Sequence, residues 1–328
     1  MRLGDRLVDL PEPDEAAVAA VHARAADILR PPGALQWLDD LAAWIAGWQR
    51  RPLPIIERPV GLVFAADHGV AAAAKVSALE PKVTAAMFAA FAEGRSTIRS
   101  FARHAGATVT AIDVGVGKPT GDIRVEAAMS EERFAEIVDT AWAAVDALDG
   151  DLLVLGEMGI GNTTVSAAVA AALAGGETAA WVGRGTGIDD ATLRVKRAAV
   201  QQAVRRIAGV TDPLEVLREV GGSELVAIAA AVVAARHRSL PVVLDGYVVT
   251  AAVLPLVLLA PTVLDHCTVG HCSAEPGHRR LLDRLGKRPL LDLDMRLGEG
   301  SGAMAAVPLI AMACAGITEV PTLTEWFR

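Results

Sequence analysis

The sequence predicts an α/β protein: a doubly wound, mostly parallel sheet with helices on both faces. Two observations carry that prediction. Short runs at Val60–Ala65, Thr108–Val114, Leu152–Leu155, Thr178–Val182 and Pro241–Leu244 read as strands, and Leu152–Leu155 is continuously apolar, as in a strand buried on both faces. Longer Ala- and Leu-rich stretches separate them, so strands and helices alternate along the chain. No fixed-period repeat, low-complexity tract or long linker interrupts the pattern.

In chain order, Asp14-Glu15 opens a helix after Pro13, and Trp37, Leu41, Trp44, Ile45 and Trp48 recur at helical spacing, as packing residues do. The first strand ends in Asp67-His68-Gly69-Val70. Asp67 and His68 are site candidates there, because open α/β sheets place ligands beyond the carboxyl ends of strands; an Asx turn before Gly69 explains them equally well. Ser77 is either a ligand contact or a turn residue ahead of a helix predicted over Val83–Phe101. After the second strand, Ser130-Glu131-Glu132 marks the start of a helix running to Leu148.

The third strand leads into Gly156-Glu157-Met158-Gly159-Ile160-Gly161-Asn162-Thr163-Thr164, followed by a helix over Val165–Leu173. Strand, glycine-rich turn and helix N-terminus together suit a phosphate: backbone N–H groups can approach the anion and the helix dipole favours its charge. No Lys precedes Thr163 or Thr164, so this is not a Walker A loop, and the glycines read G-x-x-G-x-G rather than the dinucleotide fingerprint. A monophosphate cradle is the functional reading and a plain tight turn the structural one. A second glycine cluster, Gly183-Arg184-Gly185-Thr186-Gly187, carries a cation; Arg184 either clamps the phosphate bidentately or lies on the surface. The basic helix Asp189–Ala208, with Lys196 among its cations, reads as a solvated face. A buried helix follows over Leu225–Ala235, and Asp245-Gly246 closes the Pro241–Leu244 strand. Near the C-terminus Glu299 sits between glycines at the head of a long apolar helix, Ala303–Ala315. It serves either as an acid near a helix N-terminus or as a general base projecting from a tight turn.

The composition sets bounds. The 328 residues suit one large α/β domain with an appendage, or two smaller domains. Hydrophobic residues make up 52% and mean hydropathy is +0.38, but the longest apolar stretch, Tyr247–Leu264, is broken by Pro255 and Pro261. It predicts a buried helix rather than a clean span of ~20 residues. The first residues carry no export pattern, and Cys267, Cys272 and Cys314 form no C-x-x-C pair, so a cytoplasmic protein is expected. A net charge of -8 and a pI of about 5.4 argue against a nucleic-acid surface. His266, Cys267, His271, Cys272 and His278 match no standard zinc spacing, so no metal is expected and they read as loop residues with another role.

Four segments together, Gly156–Thr164, Gly183–Gly187, Ser273-Ala-Glu-Pro-Gly-His-Arg279 and Arg296-Leu-Gly-Glu-Gly-Ser-Gly302, resemble the nicotinate-nucleotide–dimethylbenzimidazole phosphoribosyltransferase family. Asp67–Val70 and Leu244–Tyr247 fit as well, so the resemblance covers roughly Gly61 to Pro308 in the family's order. It implies transfer of phosphoribose from nicotinate mononucleotide to 5,6-dimethylbenzimidazole in cobalamin assembly, with no cofactor. It also implies a homodimer and a small helical domain built from both chain ends: residues 1–57 with 305–328, around a catalytic domain at 58–304. Glu299 matches the family's catalytic base. Glu157, Met158, Gly159, Ile160, Gly161, Asn162 and Thr163, with Arg184 and Gly185, match the nucleotide- and phosphate-binding segments. Ser77, Leu297 and Gly298 fall at the base pocket, with Asp67, His68, Asp245 and His271 as further candidates. The chain departs from the family at Leu79-Glu80-Pro81, where members commonly carry Tyr/Phe-Pro-Gln, and at the shortened Lys118–Asp122 loop. A different acceptor base (another benzimidazole, adenine or a phenol) is the alternative enzyme, and a non-catalytic nucleotide-binding homologue the alternative class.

Overall fold

Residues 2–328 are described by a computed structural model. Among them, six strands form one sheet: β1 (Pro59–Ala66), β2 (Thr108–Gly115), β3 (Leu152–Met158), β4 (Val242–Leu244), β5 (Cys267–His271) and β6 (Pro289–Leu291). Their order is β2-β1-β3-β4-β5-β6, and every neighbouring pair is parallel. The chain runs outward from β1 to β2, crosses back to β3 and continues to the opposite edge. That reversal opens a crevice between the carboxyl ends of β1 and β3, the place where such sheets hold ligands.

Helices fill the connections. α1 (Glu15–Asp27) and α2 (Gln36–Gln49) precede β1, and α3 (Gly69–Ala74), α4 (Val83–Ala92) and α5 (Thr97–Ala105) lie between β1 and β2. α6 (Glu131–Asp146) returns to β3. α7 (Asn162–Ala174), α8 (Asp190–Arg206), α9 (Pro213–Val220) and α10 (Ser223–His237) precede β4. α11 (Tyr247–Leu259) and α12 (Pro276–Leu285) lead into β5 and β6, and α13 (Ser301–Thr318) and α14 (Leu323–Trp326) end the chain.

Because strand side chains alternate, the sheet feeds two cores. Leu62, Phe64, Leu153 and Leu155 pack with α6, α7, α10 and α11 on one face. Val63, Leu152, Val154 and Val243 pack with α1, α2, α5 and α13 on the other. The chain ends meet on that second face: Arg24 of α1 donates to the carbonyls of Ile317 and Val320, and Ile28 bridges Thr322. α13 is long and apolar enough to cross a membrane by length and composition alone, yet 56% of it is buried, against α2, α5 and β5 among others.

The sheet matches the predicted fold class, with corrections in detail. Thr178–Trp181 is a turn of 3-10 helix rather than a strand. The Trp181 indole N–H donates to Gly175 O and the Trp181 carbonyl accepts the Tyr247 hydroxyl, so this backbone is engaged away from the sheet. The helix expected over Val83–Phe101 is two: Gly94 takes a left-handed φ of +73° and Ser96 caps a fresh start, accepting the Arg99 N–H. Cys267–His271, expected in a loop, is the buried strand β5, paired on both sides; its Cys and His residues disguise a buried interior strand. Tyr247–Leu256 is buried within α11 as expected, with Pro255 inside it.

Gly270 of β5 faces α13 so closely that an added Cβ would lie 2.4 Å from Ala303 Cα. Gly270→Ala is therefore expected to destabilise the fold by about 1–3 kcal/mol through overpacking. Urea unfolding checks this, and an unchanged midpoint would contradict it.

Candidate active site

The crevice holds a cavity of about 360 Å³ built from five segments: the loop after β3, the 183–187 turn, the end of β4, the end of β5 with the loop after it, and the 296–299 turn before α13. A wall from α4 and the loop before it, including Val83 and Met87, closes one side. Most of the residues singled out from the sequence line it: Ser77, Glu157, Met158, Gly159, Ile160, Gly161, Asn162, Thr163, Gly185, Asp245, His271, Leu297, Gly298 and Glu299.

The glycine loop takes its shape from what lies beneath it. A Cβ on Gly159 would sit 2.6 Å from Ala66 O and 2.8 Å from His68 Nε2. Gly161 has a φ of +97°, which an L side chain rarely adopts, and it leads into α7 without a side-chain cap. The first turn of α7 therefore presents N–H groups and the positive end of its dipole to the cavity.

The cation beside this loop is not Arg184. Its guanidinium donates to Ile188 O and pairs with Asp190; its side chain is 52% exposed and lies outside the cavity lining. Lys196, in the second turn of α8, is 1% exposed and reaches in from below. Its Nζ donates to Thr163 Oγ1 at 2.7 Å and to Gly183 O at 3.1 Å. Burial pushes the ammonium down to about 8, against the opposing charge of Glu275. Glu275 in turn accepts the Gly185 N–H at 2.9 Å, and Arg296 donates to Gly185 O at 2.8 Å, so the second glycine turn is tied from both sides. Sequence reasoning missed Lys196 because i, i+3 and i, i+4 spacing on a basic helix shows a charged face without showing which member turns inward.

Asp67 and His68 lie outside the cavity lining. Asp67 accepts the Gly117 N–H at 2.8 Å, and buried His68 stands 2.8 Å from the Glu224 carboxylate under the loop. Ser77 Oγ lies 3.1 Å from Thr186 Oγ1, joining the entry loop to the 183–187 turn.

Across from the glycine loop, Gly298, Glu299 and Gly300 take φ values of +89°, +65° and +84°. Left-handed geometry is strained at a glutamate. The Glu299 N–H donates to Glu157 O at 3.1 Å, and its carboxylate accepts the Ile98 N–H at 3.4 Å. Glu299 is 4% exposed; burial raises its pKa, the Ile98 N–H opposes that rise, and the negative charge of Asp245 adds to it. Burial lifts Glu157 further, helped by Glu224, Asp245 and Glu299 and opposed by the Asn162 amide, which donates to Glu157. Val76, Leu79, Val83, Met87, Met158 and Leu297 supply apolar surface. The cavity thus joins a glycine loop with a buried ammonium to an apolar slot and a buried carboxylate of raised pKa.

Lys196 carries its charge below pH 8 and loses it above. Binding of inorganic phosphate should therefore weaken as pH rises through about 8, and Lys196→Met should bind phosphate weakly with little of that dependence. Calorimetry between pH 7 and 9 measures both. A wild-type affinity that does not change across this range would contradict the assignment.

A family model described as phosphoribosyltransferase matches residues 10–326. The chain is 48% identical over 319 residues to the nicotinate-nucleotide–dimethylbenzimidazole phosphoribosyltransferase of Methylocella silvestris, covering 96% of this chain and 92% of that protein. It is 48% identical over 307 residues to that of Mesorhizobium japonicum, covering 93% and 91%. Among solved structures, CobT from Thermus thermophilus superposes with a TM-score of 0.90 at 41% identity, covering 95% of this chain and 98% of that one. Matched over nearly its whole length by the family model and by these relatives, the chain belongs to the nicotinate-nucleotide–dimethylbenzimidazole phosphoribosyltransferase family.

Proposed function

We propose that the protein transfers the 5-phosphoribosyl group of nicotinate mononucleotide to 5,6-dimethylbenzimidazole, releasing nicotinate and forming α-ribazole 5′-phosphate for the cobalamin nucleotide loop. The names of its relatives support the activity. One observation carries the mechanism: a buried carboxylate of raised pKa, Glu299, faces the same cavity as the uncapped glycine loop and Lys196.

In nicotinate mononucleotide the departing ring is already a pyridinium. When its bond to C1′ breaks, the electron pair stays on the ring nitrogen and a neutral pyridine leaves, so no acid is required to assist departure. The benzimidazole attacks C1′ through its lone-pair nitrogen from the opposite face, which turns the β-linkage into an α-linkage, and the acceptor becomes cationic. Glu299 takes the proton from its other nitrogen and stabilises the charge as it develops. The raised pKa makes it a stronger base than an exposed glutamate. The loop N–H groups and Lys196 seat the phosphate, so the ribose enters with C1′ toward the acceptor. Glu157, whose pKa burial pushes well up, lines the same wall. Leu79, Met87 and Leu297 would flank the flat base, with Ser77 at the pocket's edge.

In the same reading residues 1–57 and 305–328 act as a small domain joined by the Arg24 contacts, beside a catalytic domain at 58–304. The enzyme works as a homodimer in the cytoplasm, where its three free buried cysteines would stay reduced. Acceptor choice rests on the wall that includes Leu79, so another aromatic base is the alternative substrate.

Incubation with nicotinate mononucleotide and 5,6-dimethylbenzimidazole, with products resolved by mass, should yield α-ribazole 5′-phosphate and nicotinate. Glu299→Gln should lower kcat by roughly 10²–10⁴ with little change in KM for the nucleotide. Wild-type turnover by that variant would remove Glu299 from the role of base.

A further inference from the structure

α13 begins behind Gly300, which offers no side-chain oxygen to the free N–H groups of its first turn. An acceptor comes instead from the sheet. Asp245, at the carboxyl end of β4, accepts the Ala303 N–H through Oδ1 at 2.8 Å. The same oxygen lies 3.4 Å from His271 Nε2 at the end of β5, and both side chains are buried. The His271 ring is slotted between two glycines. A Cβ on Gly302 would meet its Cδ2 at 2.1 Å, and one on Gly246 would come within 3.2 Å of Nε2.

This anchorage acts four residues beyond Glu299, which stands in the middle of three consecutive left-handed residues, the other two glycine. Such a segment has much conformational freedom to lose. Within the turn the Ser301 N–H and hydroxyl both donate to Gly298 O, and what fixes the turn against the rest of the site is the Glu299 N–H bond to Glu157 O, the Ile98 N–H bond to the carboxylate, and the Asp245 bond to α13. We infer that Asp245, steadied by His271, is a positioning residue for Glu299: by docking the first turn of α13 it sets where the carboxylate stands in the cavity wall. This rests on Glu299 being the base.

Because Asp245 is also charged, its removal has a signature that a scaffold residue lacks. The groups facing Glu299 are Asp245 just after β4, Glu157 from β3, His271 from β5, and the Thr97 and Ile98 N–H groups from α5. Taking away the Asp245 charge makes Glu299 easier to ionise, which moves the acidic limb of the kcat–pH profile to lower pH. Asp245→Asn keeps an acceptor oxygen and loses the charge, so it should show that shift with KM for the nucleotide changing less than kcat. Asp245→Ala loses both, and kcat should fall by up to about 100-fold through misplacement of the base.

Glu299→Gln is measured alongside. If it retains turnover, the base assignment fails and the inference falls with it. If it loses turnover while the Asp245→Asn limb stays at the wild-type position, Asp245 does not act through Glu299 and the inference alone is overturned. Should Asp245→Ala not fold, the limb of Asp245→Asn still decides.

Discussion

One close approach organises the site: the end of β3 passes so near the turn before α13 that only glycine fits at position 156. A Cβ there would lie 2.2 Å from the Glu299 carbonyl oxygen. Across this contact the Glu299 N–H bonds to Glu157 O. Two segments far apart in sequence are thereby held side by side, one ending in the anion loop and the other bearing the carboxylate. The parallel topology makes this possible, because β1, β3, β4 and β5 all deliver their carboxyl ends to one edge of the sheet.

That edge concentrates charge where water is scarce. Glu157, Glu224, Asp245 and Glu299 are all buried, and each ionised carboxylate makes ionisation of its neighbours harder. The result is a division of labour by environment. Glu157 is pushed toward its neutral form, while Glu299, which keeps a backbone N–H donor, is shifted less and remains fit to exchange a proton. Lys196 is the counterpart at the other end, a buried ammonium held at a lower pKa until an anion arrives. Strained left-handed geometry at Glu299 and uncompensated buried charge both cost stability, and the packed cores on the two faces of the sheet offset them.

Much of this is legible in the sequence where local chemistry is decisive. The strand, the three glycines and the helix N-terminus of residues 152–174 follow one another directly, so the loop is written in contiguous residues. The same holds for Glu299, whose flanking glycines announce a turn. Residues whose role depends on which way a side chain points are not legible. Arg184 resembles the phosphate's cation because it sits among glycines, yet it turns outward to Asp190, and Lys196 turns inward from a helix whose pattern is uniformly that of a solvated face. Asp67 and His68 stand at a strand end as ligand residues do, but Asp67 bonds the loop after β2 and His68 lies beneath the glycine loop against Glu224. β5 escapes sequence reading because Cys267, Thr268 and His271 look like site chemistry rather than a buried strand.

The central claim is spatial: the glycine loop with Lys196 seats the phosphate, and Glu299, in the same cavity, reaches the acceptor. A crystal structure with nicotinate mononucleotide and 5,6-dimethylbenzimidazole bound tests it most directly. The account places the phosphorus atom against residues 159–163 within reach of Lys196, and a nitrogen of the benzimidazole within hydrogen-bond distance of the Glu299 carboxylate. A phosphate seated elsewhere, or an acceptor whose nitrogens lie beyond the reach of Glu299, would contradict it.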